Sequence, residues 1–368
     1  MFDSSILKSE EKISFALRSL YSRFGYERYK MGKFEEYDLY VRNKDFLISD
    51  SIITFTDTNG RLMALKPDVT LSIIKNVTDT KGTVNKFYYD ENVYRISGGT
   101  NSFKEIAQTG LECIGDIGVY EIAEVVCLAV KSLALINDNY ILDLSHAGFV
   151  SAVFETIGIE NEDKKEILTY IKSKNISQLL SMKENGKLSE GAYDLVSKLM
   201  NTYKSAADFK AAFAPYSYDK NISASLSEFS TVCDKLTALG MMKNVNIDFS
   251  IIDDVNYYSG VIFKGYIKGI PATVLSGGQY DKLMKKIGKA SGALGFAVYV
   301  DMFERMNEND KEYDCDCLIL KNNETDPAVV LKAANQFVSD GKKIKIADGD
   351  GEGITYRQML DLREGQGE

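Results

Sequence analysis

The sequence has no tryptophan, four prolines and a single histidine among its 368 residues. With only His146 available, a metal site with several histidine ligands is excluded, and a serine-histidine-aspartate triad would have to use this residue. His146 directly follows ILDLS at the predicted end of a strand, so we assign it a structural role. We therefore expect no metal site and no cofactor.

Cysteine is also scarce, with five residues at 113, 127, 233, 315 and 317. The odd number and the spacing do not form a disulfide framework, and Cys315-x-Cys317 is too sparse for a zinc site. The first residues contain no signal peptide, and no run of 18 uncharged apolar residues is present. These features predict a cytoplasmic protein without a membrane partner.

The sequence also has no excess of positive charge, and its formal net charge is −9. This balance argues against a large nucleic-acid-binding surface, which normally carries a basic excess. The apolar fraction of 45% and the charged fraction of 26% are typical of a globular protein. A chain of this length can form one large domain and a small one.

The pattern of apolar residues predicts an α+β protein with an antiparallel sheet. Residues 9–24 have the spacing of an amphipathic helix, and Asn59-Gly60 is a hairpin signal between two alternating runs. Strands are predicted again from Val245 to Ile252, from Gly260 to Ile267 and from Ala272 to Ser276, as an antiparallel meander.

Two parts of the chain interrupt or follow this pattern. The residues from about 150 to 240 are polar and helical in period, which predicts a helical insertion within a domain spanning residues 1–310. Residues 311–368 have a β-α-β pattern and are predicted to form a short α/β segment.

One predicted strand, Phe103–Gly115, has an unusual polar face. Side chains alternate along a strand, so Gln108, Gly110 and Glu112 share one face. An amide and a carboxylate with a glycine between them indicate a small-molecule pocket. Taken alone, the same pattern also fits a strand whose polar residues face solvent.

Three further segments decide between these readings, because together with this strand they resemble the catalytic domain of histidyl-tRNA synthetase. The resemblance covers roughly residues 5–306 and rests on the order and spacing of its motifs. The matching segments are Leu65–Thr70 (LKPDVT), Tyr94-Arg95 with Gln108–Glu112 (QTGLE), Asn256–Gly260 (NYYSG) and Ser276–Asp281 (SGGQYD).

The resemblance implies a class II synthetase-like fold with a pocket for L-histidine. In the family, the positions of Asp68 and Thr70 hold the α-amino group, and the position of Glu112 recognises the imidazole. An ammonium prefers carboxylate and hydroxyl acceptors, and a ring N–H prefers a carboxylate. The predicted histidine-binding residues are Asp68, Thr70, Gln108, Glu112, Tyr257, Tyr258, Gly278 and Tyr280, with Arg95 as a possible residual contact.

The family's ATP-binding residues are largely replaced. Asp253 stands where the family has a catalytic arginine, and Ser97 stands where it has a glutamate. Residues 97–102 contain no arginine, and Val300-Asp301-Met302 aligns with a motif that normally ends in one. A carboxylate at 253 would repel the α-phosphate. We therefore predict that the chain neither forms an adenylate nor charges tRNA.

A synthetase fold that retains the histidine pocket but lacks ATP machinery resembles the ATP phosphoribosyltransferase regulatory subunits. That resemblance implies a non-catalytic subunit that activates a short-form catalytic transferase in histidine biosynthesis and takes part in feedback control by L-histidine. It also implies a hetero-octamer, with a homodimer through the synthetase-like domain. The alternatives are an active histidyl-tRNA synthetase and a stand-alone histidine-binding protein.

Overall fold

The computed structural model describes residues 7–42, 52–78, 80, 82–96, 102–159, 161–252, 258–304 and 313–363. The chain divides into two compact units, Met1–Phe303 and Glu304–Glu368.

The larger unit is built on strands that recur along its whole length. They are β1 (Glu27–Arg28), β2 (Phe34–Glu36), β3 (Thr54–Thr56), β4 (Leu62–Leu65), β5 (Val84–Ile96), β6 (Phe103–Gly115), β7 (Tyr140–His146), β8 (Tyr203–Lys204), β9 (Val245–Asp248), β10 (Val261–Ile267), β11 (Leu275–Gln279) and β12 (Gly292–Tyr299).

Helices flank these strands, and several follow one another between β7 and β9. They are α1 (Ser9–Arg23), α2 (Tyr37–Val41), α3 (Thr70–Asn76), α4 (Val119–Ile136), α5 (Ala147–Thr156), α6 (Asn161–Ser173), α7 (Ile176–Glu184), α8 (Glu190–Met200), α9 (Ala206–Phe213), α10 (Lys220–Ala238) and α11 (Asp281–Lys286). The residues predicted as an insertion therefore contain mostly helix.

Nine strands of the described chain form one sheet in the order β1-β5-β6-β12-β11-β10-β7-β9-β8. Most neighbours are antiparallel, while β1 with β5 and β7 with β9 are parallel. A second sheet has the order β2-β4-β3. This arrangement confirms the predicted α+β class and its antiparallel sheet.

The predicted meander needs correction at both of its ends. Strand β9 stops at Asp248, because the Asp248 carboxylate accepts a hydrogen bond from Ser250 N at 2.8 Å and caps a 3₁₀ turn. Strand β9 also pairs in parallel with β7 rather than with β10. The predicted strand Ala272–Ser276 lies later, at Leu275–Gln279, since the backbone of Gly277 and Gly278 pairs with both β10 and β12.

Helix α4 is apolar on most of its circumference and is buried in the core of the larger unit. Its first turn is closed by the Glu121 carboxylate, which accepts a hydrogen bond from Gly118 N at 2.9 Å. Tyr21 of α1 reaches the Ser132 hydroxyl of α4 at 2.9 Å, so a buried polar pair joins the two helices. Neither α4 nor another helix in the described ranges combines the length and apolarity needed to cross a membrane.

A cluster of phenylalanine rings holds the inserted helices against the end of the sheet. Phe149 of α5 lies edge-on to Phe209 and Phe213 of α9, with ring centroids 5.5 and 5.0 Å apart. Phe249, which follows β9, stacks on Phe149 at 5.5 Å. All four rings are buried, so this cluster anchors the insertion by apolar burial and by aromatic packing.

In its described residues, the smaller unit is a three-stranded parallel sheet with one helix. Its strands are β13 (Cys315–Lys321), β14 (Ile344–Asp348) and β15 (Tyr356–Asp361), in the order β14-β13-β15, and its helix is α12 (Pro327–Ser339). Asp326 caps α12 by accepting a hydrogen bond from Ala328 N at 2.8 Å, directly before a proline that suits the first helical position.

The phenylalanine cluster gives a direct test of how the insertion is held. We expect Phe209→Ala to lower the free energy of unfolding by about 3–5 kcal/mol, because it leaves a cavity among buried rings. Tyr218→Ala, at a side chain that is 81% exposed in the same insertion, should change it by less than about 0.5 kcal/mol. Denaturant unfolding of both variants measures the difference, and equal stabilities would contradict this role.

Candidate functional site

The pocket lies on one face of the central sheet, where β5, β6, β12 and β11 are neighbours. Glu112 on β6 is directly opposite Gly295 on β12, and Gly295 is opposite Gly278 on β11. Residues opposite each other in an antiparallel ladder share a face. A Cβ atom at Gly295 would overlap the Glu112 carboxylate, so this glycine makes room for the buried acid.

Every predicted site residue except Tyr257 lines this single pocket. Tyr257 lies outside the described residues, as do Asp253 and Ser97. The lining comprises Asp68, Val69, Thr70, Tyr89, Arg95, Gln108, Glu112, Tyr258, Ser276, Gly277, Gly278, Tyr280, Gly295, Phe296, Ala297 and Tyr299. The four separated sequence segments therefore converge on one cavity.

Glu112 is the most deeply placed charged group of the pocket, with 2% of its surface exposed. Its Oε1 accepts a hydrogen bond from the Thr70 hydroxyl at 2.6 Å, and its Oε2 accepts one from the Tyr280 hydroxyl. Burial raises the pKa of Glu112 to about 8, against the opposing effect of these two hydroxyl donors, and the nearby Asp68 charge adds to the rise.

Asp68 enters the pocket from the turn between β4 and α3. Its Oδ1 accepts a hydrogen bond from Leu71 N at 2.8 Å. Burial raises the pKa of Asp68, while the Leu71 amide, the Arg95 charge and the Thr70 amide act in the opposite direction. Lys66, two residues before Asp68, is fully buried, and its Nζ lies 2.8 Å from Glu91 Oε2. This buried ion pair ties the turn to β5.

Arg95 approaches the pocket from β5 and is fixed to the same turn. Its Nε donates a hydrogen bond to the carbonyl of Pro67 at 2.9 Å. Arg95 is the single lysine, arginine or histidine among the described residues that line the pocket, against the two carboxyl groups of Asp68 and Glu112. The described lining therefore offers one cationic side chain to an anionic ligand.

Close packing against glycines shapes the apolar parts of the cavity. A Cβ atom at Gly278 would lie 2.7 Å from the ring of Tyr258, so the ring can rest on the strand only because this residue is glycine. Similarly, a Cβ atom at Gly110 would lie 2.5 Å from the Tyr89 hydroxyl. The rings of Tyr258 and Tyr89 thus line the cavity and pack directly against the backbone of these glycines.

Sequence reasoning missed several lining residues on β5, β11 and β12. Tyr299 is opposite Gln108 in the β12–β6 ladder, and Ser276 is opposite Ala297 in the β11–β12 ladder. Alternation along β12 was the available signal, because Gly295, Ala297 and Tyr299 share a face. The strand register needed to apply it comes only from the folded sheet.

The single histidine lies outside this lining and has a structural role. His146 Nδ1 accepts a hydrogen bond from Phe149 N at 3.0 Å and caps helix α5. Across the described residues, no group of three or more histidine, cysteine, aspartate or glutamate side chains is arranged to hold a metal ion.

Comparison with protein-family models gives one decisive match. The histidyl-tRNA synthetase model matches residues 4–303, which include the whole sheet and every residue of the pocket. The chain belongs to the histidyl-tRNA synthetase family. Its pocket therefore occupies the synthetase-like domain of a known family.

Among curated relatives, this synthetase-family chain is similar to the ATP phosphoribosyltransferase regulatory subunit of Clostridium botulinum strain Langeland. The two are 28% identical over 360 residues, covering 94% of this chain and 83% of the relative. The predicted resemblance to that group of synthetase-like proteins is thus confirmed.

Solved structures support the fold. An ATP phosphoribosyltransferase regulatory subunit/histidyl-tRNA synthetase from Bacillus halodurans superposes with a TM-score of 0.77 at 22% identity, covering 96% of this chain and 93% of that one. A chain of the ATP phosphoribosyl transferase (HisG:HisZ) complex from Thermotoga maritima superposes with a TM-score of 0.63 at 18% identity, covering 79% and 97%. Both confirm the class II synthetase-like fold.

The raised pKa of Glu112 predicts how stability depends on pH. The folded protein keeps a proton on Glu112 up to a pKa of about 8, whereas the unfolded chain releases it near 4.5. Between these values the unfolded state binds fewer protons, so this group's contribution to stability is lost as pH rises. We expect wild-type stability to fall relative to Glu112→Gln across this range and to level off above it.

Denaturant unfolding at a series of pH values measures this difference. Glu190→Gln is the matched control, because the Glu190 side chain is 71% exposed and should leave the pH dependence unchanged. Parallel curves for wild type and Glu112→Gln would show that Glu112 is ionised in the folded protein.

Proposed function

We propose that this chain is a non-catalytic regulatory subunit of ATP phosphoribosyltransferase that binds L-histidine in its synthetase-like pocket. The observation that carries the proposal is the convergence of the amino-acid-binding positions on one cavity, while the phosphate-binding positions are largely replaced in the sequence. The proposal therefore separates recognition of the amino acid from its activation.

The polar groups of the cavity suit an amino acid with a basic ring. Asp68 and Thr70 provide carboxylate and hydroxyl acceptors for an ammonium group, and Gln108 adds an amide. The Glu112 carboxyl group lies beside Tyr258 and Tyr280, where an imidazole N–H can donate to it. An imidazole bound between Tyr258 and Tyr280 would also pack against their rings, which is favourable for aromatic groups.

The replaced positions argue against adenylate formation. Aminoacyl adenylation develops negative charge on the α-phosphate, and enzymes stabilise such charge with positioned donors. Loss of one such donor costs about 3–4 kcal/mol in related cases, and this sequence carries Asp253 in place of an arginine. Ser97 and Val300-Asp301-Met302 replace further positions. Adenylation and tRNA charging are therefore absent from the proposed function.

The names of the relatives supply the partner. We infer that the chain associates with the short-form catalytic transferase in a hetero-octamer and dimerises through its synthetase-like domain. Regulation by L-histidine then requires two states of the assembly with different histidine affinities. All five thiols are buried and free, in keeping with the reducing cytoplasm as the proposed compartment.

Binding of L-histidine is the first expected outcome. Titration calorimetry should detect binding to the wild-type chain, and Glu112→Ala should weaken it by at least about tenfold, because the hydrogen bond between the ring and the Glu112 carboxyl group is lost. The control Glu190→Ala removes an exposed carboxylate and should leave binding unchanged. Absence of binding to the wild type would refute the proposal that the pocket binds L-histidine.

Activation of a transferase is the second expected outcome. A short-form catalytic subunit should be activated by the wild-type chain, and added L-histidine should inhibit the assembled enzyme. Glu112→Gln should still activate the transferase but respond less to L-histidine, since the amide keeps a hydrogen-bonding group beside Thr70 and Tyr280 while it changes the group that meets the ligand. A lack of activation would favour a stand-alone binding protein, and histidine-dependent ATP–pyrophosphate exchange would favour an active synthetase.

A further inference from the structure

A groove in the larger unit shares no lining residue with the pocket around Glu112. It is formed by helix α4, by the residue that follows α1, and by the end of α10 with the 3₁₀ turn after it. Its volume is about 720 Å³. Small-molecule sites typically have volumes of roughly 300–1,000 Å³. The groove is therefore large enough for a ligand that the proposed function does not use.

Apolar side chains make up most of the groove and are open to solvent. Phe24, Val119 and Leu239 are exposed large hydrophobic residues. The lining residues of α4 recur mostly at intervals of three and four from Tyr120 to Lys131, so they share one stripe of the helix. From Val119 to Lys131 the helix rises by about 18 Å. This length suits an elongated apolar ligand.

One carboxylate lies in the described lining, and it is already paired inside the protein. The Oε1 and Oε2 atoms of Glu124 lie 2.7 and 2.9 Å from Lys86 Nζ. The hydroxyl groups of Tyr26 and Tyr120 donate further hydrogen bonds to Glu124, at 3.1 and 2.8 Å. Glu124 therefore contributes little net charge to the groove.

Two lysines of the groove have no such partner. Lys131 on α4 and Lys235 on α10 line it, and neither ammonium group makes a hydrogen bond or ion pair within the described parts of the chain. Burial raises the pKa of the Cys127 thiol, while the charge of Lys131 acts in the opposite direction, so this charge is felt at the apolar wall. The groove thus favours an anion over a cation.

The size of the groove decides between a small ligand and a protein partner. One side of a stable protein–protein interface typically contains about 20–30 residues. The groove is lined by 11 residues, from three short stretches of chain. A concave apolar site of this extent, with unpaired charges of one sign, fits a small amphipathic anion.

We propose that this groove binds an alkyl carboxylate of medium chain length, a site separate from the one for L-histidine. The hydrocarbon chain lies along the apolar stripe of α4, and the carboxylate meets Lys131 and Lys235. Burial of the hydrocarbon supplies most of the affinity, and the two lysines select the charge of the head group.

Titration calorimetry with the full chain tests this proposal, using sodium decanoate and decyltrimethylammonium below the concentrations at which they form micelles. The two probes share an apolar chain and differ in the sign of the head-group charge. Wild type should show saturable binding of decanoate, roughly 3- to 20-fold tighter than of the cationic probe, because partly exposed ion pairs are modest in strength. Added salt should reduce this preference.

Substitutions separate the apolar contribution from the charged one. The double variant Lys131→Met/Lys235→Met should lose the preference for decanoate while still binding both probes, whereas Lys268→Met, at an exposed lysine outside the groove, should keep it. Ala238→Trp fills the groove from an exposed position and should weaken both probes by at least about tenfold. Ala224→Trp, at another exposed position of α10, is the matched control and should change neither affinity.

Several results would overturn the proposal. These are absence of saturable decanoate binding to wild type, equal affinities for the two probes, and unchanged decanoate affinity in Ala238→Trp. A groove that does not bind decanoate, but whose Ala238→Trp variant changes the oligomeric state in sedimentation, would be a protein contact instead. Binding to phosphatidylglycerol vesicles without binding of free decanoate would assign it to a membrane surface.

The proposal stays testable if Ala238→Trp does not fold, because the head-group preference of the lysine double variant decides it independently. L-Histidine binding should be the same in all of these variants, since none of them changes the pocket around Glu112. Failure of decanoate to bind would therefore leave the proposed function intact, and failure of L-histidine to bind would leave this groove unaffected.

Discussion

A carboxyl group buried in a β-sheet needs hydrogen-bond donors, and the pocket of this protein is arranged around that requirement. Glu112 is held by the hydroxyl groups of Thr70 and Tyr280, which come from positions far apart in the chain. Both hydroxyls stabilise this group, since a buried carboxyl group without hydrogen-bond partners is unfavourable. Thus helix α3 and Tyr280, which directly follows β11, are held at β6 by the same group that would recognise a ligand.

The sheet can hold this carboxyl group because its neighbours are glycines. Gly295 leaves the volume that the Glu112 side chain occupies, and Gly278 allows the Tyr258 ring to lie against the strand. Glycine weakens a strand interior because it restricts the unfolded chain least. The long antiparallel ladder of β5, β6 and β12 surrounds these positions and stabilises them. The pocket is therefore a small region with glycines inside a sheet whose strands otherwise pair regularly.

Two polar contacts fix the position of residues 66–68, the turn that carries Asp68 into the pocket. The Lys66–Glu91 ion pair and the Arg95–Pro67 hydrogen bond fasten this turn to β5 at two points. Burial of a lysine is costly unless it is paired, so the contact with Glu91 constrains where the turn can lie. Asp68 and Arg95, which both line the cavity, are thereby set beside each other.

The sequence by itself determined the fold class and the alternating face of Phe103–Gly115, because side-chain periodicity is a local property. The resemblance of its motifs to a known family supplied the predicted residues that gather in the pocket, but not the other lining residues of β5, β11 and β12. The sequence pattern placed Val245–Ile252 in the wrong ladder, since strand partners depend on contacts distant in the chain. Tertiary structure alone decided that Glu112 is enclosed by two hydroxyls and faces Gly295. Register between strands sets these neighbours, and register is a property of the assembled sheet.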